Sequence, residues 1–215
     1  MNTHLHILES YTNLYRIWRN PDVAEAQFKL INLFKTRILN PNTSHLDLFF
    51  DEKWTVKSTL ISYGHDIEAS WLLAEAAWEL GNRQLIDEIT TVAFRIAEAA
   101  SKGLQPDGSL AYEQTGNRLD RDRHWSVQAE AVLGFMHAYQ RSGETIFFDR
   151  AAQVWAYIQS HLIDHTSGEW YWSRKGNGTI NREQDKAGPW KCPYHNCRLC
   201  LEMITILAPH QEDQR

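Results

Sequence analysis

The sequence is poor in the residues that mark several common classes of protein. Only three of its 215 residues are cysteine, an odd number that argues against a disulfide framework and predicts reduced thiols in a cytoplasmic protein. Eleven glycines and six prolines are too few for a collagen-like or low-complexity chain. No apolar run approaches the length of a membrane span, and the polar residues 1–4 do not resemble a signal peptide. We therefore expect a cytoplasmic globular protein without a membrane partner.

Basic residues are also fewer than acidic ones. Twenty-two lysines and arginines face 27 aspartates and glutamates, which gives a formal net charge of −5. Because proteins that bind phosphate backbones need a basic surface to displace counterions, this balance argues against a nucleic-acid partner. Hydrophobic residues, at 43%, are nevertheless frequent enough for a chain of this length to bury a substantial core.

Aromatic residues and histidines, in contrast, are abundant. The chain has 9 Trp, 8 Tyr, 8 Phe and 10 His. Aromatic faces edged by polar groups suit carbohydrate rings, because the C–H faces of a sugar stack on an indole while its hydroxyls bind polar groups. The alternative is that the tryptophans fill gaps in a large helical core. Composition alone leaves both interpretations open.

Apolar residues recur mostly with the period of an α-helix. The predicted helices in the first half of the chain cover residues 5–18, 22–38, 64–80 and 84–102. Asn20-Pro21 separates the first two helices, and Gly81 ends the third. Residues 46–62 alternate loosely around a charged Asp-Glu-Lys triplet, which predicts a short β-hairpin.

A helical unit recurs along the chain. Glu68 precedes Gly81 by thirteen residues, and Glu130 precedes Gly143 by the same number, so each glycine ends one helix before the next begins. The opening pair of helices is a third copy, and residues 194–207 begin a fourth. Repeats of about 60 residues predict helical hairpins stacked side by side. The predicted fold is all-α, with loop-and-strand segments at one rim between the copies, at residues 40–63, 103–124 and 164–193.

The first helices of these hairpins run parallel if they form one layer, and their N-termini then share one rim. Polar and aromatic residues cluster at these N-termini: Asn2, His6, His65, Glu68, Trp71, Trp125, Gln128, Glu130, His195, Asn196 and Arg198. Asn2 and His6 are four residues apart and His65 and Glu68 three apart, so each pair shares a helix face. Helix N-termini also favour negative charge, which suits a developing oxyanion. The pattern predicts one site at one rim.

Four segments in this order resemble the cellobiose 2-epimerases of the wider N-acylglucosamine 2-epimerase family: MNTHLHILE (1–9), SYGHDIEASWLL (62–73), WSVQAEA (125–131) and WKCPYHN (190–196). The resemblance covers nearly the whole chain. It implies an (α/α)6 barrel, of which residues 1–215 would form a single domain, the C-terminal portion. It also implies reversible epimerisation at C2 of the reducing-end glucose of β-1,4-linked disaccharides such as cellobiose and lactose, with no metal or cofactor.

The resemblance assigns catalysis to His65 and His195. Epimerising C2 of an aldose requires ring opening, removal of the proton α to the aldehyde to give an enediolate, and reprotonation from the opposite face. Two acid–base groups on opposite sides of the planar intermediate suffice, and histidine titrates in a range that serves both directions. The two histidines belong to different repeats, so they can flank a sugar between them.

Six further residues match positions that contact or shape the sugar site in that family: Asn2, His6, Glu68, Trp71, Glu130 and Trp190. Glu68 would orient a nearby histidine or raise its pKa, and Glu130 would bind hydroxyls. Trp71 and Trp190 match ring-stacking and pocket-shaping positions. The expected ligand is a disaccharide or a monosaccharide.

Other titratable residues are expected to be structural. Three lone histidines are expected to cap helices or to pack in the core: His137, His161 and His210. His4, which is out of phase with Asn2 and His6, is expected to be structural as well. Four carboxylates are expected to be solvated or packing charges: Glu9, Glu75, Asp87 and Glu88.

Cys192, His195, Cys197 and Cys200 lie within nine residues and suggest a zinc knuckle as an alternative. Zinc knuckles gather four ligands around a turn, whereas the chain from Tyr194 onward has a helical pattern. Metal binding by His195 would also withdraw it from catalysis. We therefore expect no metal.

Two departures from the family bear on activity. Ser126 follows Trp125 where relatives carry a second tryptophan that packs against sugar, so substrate contact is expected to be weakened or reshaped. Six hairpins of about 60 residues need roughly 360 residues to close a toroid, and this chain holds about three and a half. The family's N-terminal half, which supplies further sugar contacts including an arginine, would have to come from another chain or segment.

Three hypotheses therefore stand. The first is a sugar 2-epimerase of the cellobiose type, or its catalytic C-terminal portion. The second is an aldose–ketose isomerase, or an N-acylglucosamine 2-epimerase-like enzyme, of the same superfamily. The third is a non-catalytic helical remnant that binds sugar, or self-associates through uncapped repeat edges. The motif at residues 62–68 follows the cellobiose type and favours the first.

Overall fold

The computed structural model describes residues 1–208, most of which lie in helices. The α-helices of this part are α1 (Asn2–Ile17), α2 (Pro21–Leu33), α3 (Tyr63–Leu80), α4 (Arg83–Ser101), α5 (Trp125–Ser142), α6 (Thr145–Tyr157) and α7 (Tyr194–Leu207). α2 and α6 each continue directly into one turn of π-helix, Phe34–Ile38 and Ile158–Leu162. Of the helices described, none is long and apolar enough to cross a membrane. The helices predicted from periodicity are confirmed, with small shifts of their ends.

Residues at the helix ends explain where the hairpins turn. α3 ends at Gly81 and α5 at Gly143, each with a φ of 72°, a left-handed conformation that glycine adopts without steric cost. Pro21 occupies the first position of α2, and the side chain of Asn20 accepts a hydrogen bond from the backbone N–H of Asp22. The glycine stops predicted from the repeat are confirmed.

The helices form two layers. α1, α3, α5 and α7 contact one another in that order and make the inner layer, while α2, α4 and α6 pack against them from outside. α3 and α5 are buried on nearly all sides, and both contain several alanines, which let neighbouring helices approach closely. Since each complete hairpin pairs an inner helix with an outer one that returns the chain, the inner helices are parallel and their N-termini share one rim. The predicted all-α stack of helical hairpins is confirmed.

Short strands lie at the same rim. β1 (Leu60–Ser62), β2 (Glu113–Thr115) and β3 (Arg118–Asp120) form an antiparallel sheet, and β4 (Arg123–His124) pairs antiparallel with β5 (Ser173–Arg174). β1 runs directly into α3 and β4 runs directly into α5. The strands therefore fix where these two inner helices begin.

The β-hairpin predicted within residues 46–62 is wrong in its extent. Within this segment, Phe50 and Val56 form an isolated bridge around a turn in which the Asp51 carboxylate accepts hydrogen bonds from two backbone N–H groups. Leu46 forms another isolated bridge with Leu39, outside the segment. The strand at its end, Leu60–Ser62, pairs with β2 instead. Alternation of apolar residues indicates a strand correctly, but it does not reveal a partner that is distant in the sequence.

The lone histidines have different surroundings. His4 packs against the ring of Trp54, and His137 is buried in the core, as predicted. His161 is exposed at the end of its π-helical turn, so the prediction that it caps a helix or packs in the core is wrong. His210 lies outside the described residues.

Gly134 lies where α5 crosses α3 closely. A Cβ atom on Gly134 would lie 2.5 Å from Cγ1 of Ile67 and 2.7 Å from the Ile67 carbonyl oxygen. We expect Gly134→Ala to lower the free energy of unfolding by about 1–2 kcal/mol, because overpacking outweighs a gain in helix propensity of about 1 kcal/mol. Urea unfolding of the two proteins measures the difference. A more stable variant would contradict this close packing of α3 and α5.

Candidate active site

A cavity of about 630 Å³ opens at the rim where α1, α3, α5 and α7 begin. Seven of the eight predicted site residues line it: Asn2, His6, His65, Glu68, Glu130, Trp190 and His195. Trp71 is not among its lining residues. Four aromatic residues also line it: Tyr112, His124, Trp125 and Trp172. The structure thus brings residues from four repeats together, as the pattern at the rim predicts.

His65 stands in the first turn of α3. Its Nδ1 lies 2.8 Å from Oγ of Ser62, the last residue of β1. Burial lowers the pKa of His65 to about 4, and the nearby His6 and His195 act in the same direction. His65 is therefore neutral at pH 7, and its Nδ1 is the ring nitrogen that Ser62 engages.

His195 stands in the first turn of α7. A hydrogen bond of 2.7 Å joins its Nδ1 to Oε1 of Glu130, and the rings of Trp125 and Tyr194 pack edge-on against it. A carboxylate on Nδ1 fixes the orientation and tautomer of the imidazole, so Nε2 is the nitrogen left for a substrate.

Glu130, rather than Glu68, makes the contact that orients His195. The hydrogen bond with Glu9 and the charge of Glu68 raise the pKa of His6, which is the other effect predicted for Glu68.

Arg198 joins the two carboxylates, one turn after His195. Its Nη2 donates to Oε1 of Glu68 at 2.8 Å and to Oε1 of Glu130 at 2.6 Å. Burial and the neighbouring Glu130 raise the pKa of Glu68. Burial would also raise the pKa of Glu130, but Arg198 and the hydrogen bond with His195 outweigh it and lower that pKa. Glu130 is therefore the ionised partner of His195.

Comparison with known proteins shows the family of the chain. The family model of N-acylglucosamine 2-epimerase (GlcNAc 2-epimerase) matches residues 1–198. This chain belongs to that family. A cellobiose 2-epimerase from Bacteroides fragilis is 50% identical to this chain over 206 residues, which are 95% of this chain and 53% of the relative.

Two solved structures have the same fold as this epimerase-family chain. The cellobiose 2-epimerase of Bacillus thermoamylovorans matches with a TM-score of 0.91 and 42% identity, over 95% of this chain and 53% of that one. A sugar epimerase from a ruminal bacterium matches with a TM-score of 0.93 and 38% identity, over 97% and 54% of the two chains. The chain spans about half the length of these relatives, and the predicted partial (α/α)6 barrel is confirmed.

Arg198 and Glu9 lie beside the cavity and contact its polar side chains, although the sequence placed Arg198 only in the rim cluster and predicted Glu9 to be a solvated or packing charge. Glu9 is not solvated, because its side chain is only 14% exposed and its carboxylate accepts hydrogen bonds from Arg198 and Tyr194. For each of these two residues, the sequence gave one weak indication that it lies near a site histidine. Glu9 follows His6 by three positions, and Arg198 follows His195 by three, so each pair shares a helix face.

Trp71 and Trp190 differ greatly in exposure. Trp71 is 2% exposed, stacks on His137 with ring centroids 5.1 Å apart, and donates from Nε1 to Oε2 of Glu130 at 3.1 Å. Trp71 therefore supports Glu130 and does not offer a ring face to the cavity. Trp190 is 87% exposed at the cavity edge, where its indole is open to a ligand.

Within residues 1–208, one group of side chains has the spacing of a metal site: Glu68, Glu130 and His195. Arg198 already donates to both carboxylates, and its positive charge opposes a second cation at the same place. All three cysteines are exposed and free, and α7 begins at Tyr194. The cysteines are therefore not gathered around a turn with His195, as a zinc knuckle requires.

Buried His137 gives the stability of the chain a pH dependence. Burial, reinforced by Arg141, lowers the pKa of His137 from 6.5 to about 3. As the pH falls, the unfolded chain takes up the proton of His137 at a higher pH than the folded chain does. The contribution of His137 to stability is therefore complete above its unfolded pKa and is lost as the pH falls toward 3. We expect His137→Phe, which can keep the stack on Trp71, to remove about 1.4 kcal/mol per pH unit from the acid slope of the unfolding free energy. Chemical unfolding across mildly acidic pH measures both slopes, and equal slopes would contradict this assignment.

Proposed function

We propose that this chain carries the catalytic histidines of a sugar 2-epimerase that inverts C2 of the reducing-end glucose in β-1,4-linked disaccharides such as cellobiose and lactose. The observation that carries the proposal is the placement of His65 and His195 on one cavity, each with its Nδ1 engaged and its Nε2 left for proton transfer. Membership of the epimerase family supports the reaction type, and the name of the 50% identical relative supports cellobiose.

The reaction needs two proton-transfer groups and a positive potential. After ring opening, one histidine removes the C2 proton, and the C2 electron pair moves into the C1–C2 bond as the aldehyde oxygen becomes negative. The other histidine then returns a proton to C2 from the opposite face. His65 is neutral at pH 7 and so is able to accept a proton, while the hydrogen bond with Glu130 fixes the orientation of His195. The helix N-termini at this rim favour the negative enediolate.

Aromatic side chains support a sugar as the ligand. Trp125 and Trp172 pack together with ring centroids 4.5 Å apart on one wall of the cavity, and Tyr112 and His124 stack at 3.9 Å on another. With the exposed indole of Trp190, these rings offer faces for the C–H surface of a sugar. The cavity is also large enough for the reducing-end ring together with part of a second one.

We further propose that activity requires a second polypeptide segment. The described residues supply four inner helices, whereas an (α/α)6 barrel has six. Within residues 1–208, α7 exposes Leu201, Ile204 and Leu207, and an apolar groove of about 530 Å³ runs between α7 and the hairpin of α5 and α6. Uncovered apolar faces at the ends of a repeat stack are surfaces that another repeat covers.

The test compares the chain alone with the chain co-expressed with the remaining half of the Bacteroides fragilis relative; this pair is the completed enzyme. After incubation with cellobiose, NMR is expected to show a mannose-type reducing end from the completed enzyme. A ketose would instead identify an aldose–ketose isomerase. A folded complex that gives no product would identify a non-catalytic remnant. Size-exclusion chromatography of the chain alone shows whether a second copy takes the place of the missing helices.

A further inference from the structure

The carboxylate of Glu9 makes three polar contacts beside the cavity. Oε1 accepts from Nη1 of Arg198, Oε2 accepts from the hydroxyl of Tyr194, and Nδ1 of His6 lies 3.4 Å from Oε2. Burial would raise the pKa of Glu9, but the contacts with His6, Arg198 and Tyr194 lower it to about 2. Glu9 is therefore ionised throughout the pH range in which histidines titrate.

Arg198 divides its guanidinium among three carboxylates. Nη1 donates to Glu9, whereas Nη2 donates to Oε1 of Glu68 and to Oε1 of Glu130. This oxygen of Glu130 is the same one that is bonded to Nδ1 of His195. If Arg198 rotated so that both of its terminal nitrogens reached Glu130, it would compete with His195 for the carboxylate, because bidentate arginine–carboxylate pairs are strong.

We propose that Glu9 is a positioning residue for the histidine pair: it holds Nη1 of Arg198, with the Tyr194 hydroxyl bridging the two, and so keeps Glu130 as the partner of His195. Glu9 is not one of the residues that line the cavity, so it acts through Arg198. The catalytic consequence rests on the proposed function. The contact between Glu130 and His195 does not, and it is measurable in the chain alone.

The first test is the tautomer of His195 in the chain alone, read from the 15N chemical shifts of its ring at mildly alkaline pH. The wild type should show one tautomer, with the proton on Nδ1. Glu9→Gln keeps the size of the side chain and removes its charge, and we expect it to turn the signal into a mixture of tautomers. Tyr194→Phe removes only the bridging hydroxyl. It should also produce a mixture of His195 tautomers, but with a smaller change than Glu9→Gln gives. Tyr194→Phe also keeps the test decisive if Glu9→Gln fails to fold.

Glu79→Gln is the matched control for the change at Glu9. Glu79 is also a carboxylate paired with arginines, at 2.9–3.0 Å from Arg16 and Arg19, and its side chain is 17% exposed, but it lies at the far end of α3 from the cavity. The Glu79→Gln variant should change the free energy of unfolding about as much as Glu9→Gln does, while leaving the tautomer of His195 unchanged.

The second test is kinetic and uses the completed enzyme. We expect Glu9→Gln to lower kcat by about 10–100-fold with little change in KM, because substrate contacts remain while the orientation of His195 is lost. An unchanged tautomer, or a kcat within twofold of wild type, in a folded Glu9→Gln variant would overturn the proposal. If the wild-type completed enzyme epimerises no sugar, the proposed function fails, and the tautomer experiment alone decides whether Glu9 positions His195.

Discussion

Replacing either His65 or His195 with asparagine is expected to abolish epimerisation by the completed enzyme. A mechanism with two bases loses one face of proton delivery with either histidine, and general acid–base catalysis contributes about 10²–10⁴-fold in rate. His4→Asn is the matched control, because His4 packs against Trp54 and does not line the cavity. It should leave the activity largely intact. Initial rates with cellobiose measure all three variants.

The His65 and His195 variants should also differ from each other. A variant that keeps one base still exchanges the C2 proton of the epimer whose proton faces that base, without inverting the centre. Deuterium wash-in from D2O, measured separately on the gluco and manno epimers, should therefore show opposite preferences for the two variants. Substantial epimerisation by both, or recovery of activity with added metal, would contradict the two-histidine mechanism.

Arg198→Met is expected to lower the free energy of unfolding by about 3–5 kcal/mol at neutral pH, because removing one partner of a buried ion pair leaves the other uncompensated. Three carboxylates contact the guanidinium: Glu9, Glu68 and Glu130. Without the cation, the folded-state pKa of Glu68 should rise further above its unfolded value, and those of Glu9 and Glu130 should rise as well. A carboxyl whose pKa is raised in the folded state destabilises the fold once the pH is high enough to ionise it. The difference in unfolding free energy between wild type and Arg198→Met should therefore be smaller in acid and grow toward neutral pH.

Chemical unfolding of wild type and Arg198→Met at acidic and neutral pH measures this deficit. The control is Arg83→Met, which removes the same side chain from an exposed pair with Asp87 and should cost little. A deficit for Arg198→Met as small as that of the control, or one independent of pH, would show that the carboxylates of the site do not depend on Arg198.

The fold was predictable because its signals are local. Gly81 and Gly143 end helices through a backbone conformation that glycine adopts easily, and the apolar period of each helix depends only on nearby residues. The place of the site followed from topology, because the N-termini of parallel inner helices meet at one rim. His65 and His195 could therefore be assigned to one cavity before their surroundings were known.

The contacts within the site depend on packing that the sequence does not reveal. Glu9 and Arg198 are 189 residues apart, and a glutamate three positions after a histidine looks the same whether it faces water or an arginine. Trp71 lies in the right motif, but whether it faces the cavity or supports Glu130 depends on how α3 packs against α5. That Glu130 rather than Glu68 contacts His195 has the same cause, since both glutamates occupy equivalent positions of the repeat.

The most direct test of the two-histidine site is the fate of the C2 proton when the wild-type completed enzyme converts cellobiose in D2O. We predict a manno product that carries one deuterium at C2 and none at C1, with little deuterium in recovered cellobiose at early times. The physical reason is that the histidine that protonates C2 is not the one that removed its proton, so the new hydrogen comes from solvent. A manno product that keeps the original C2 proton, or a ketose with deuterium at C1, would contradict the two-histidine site.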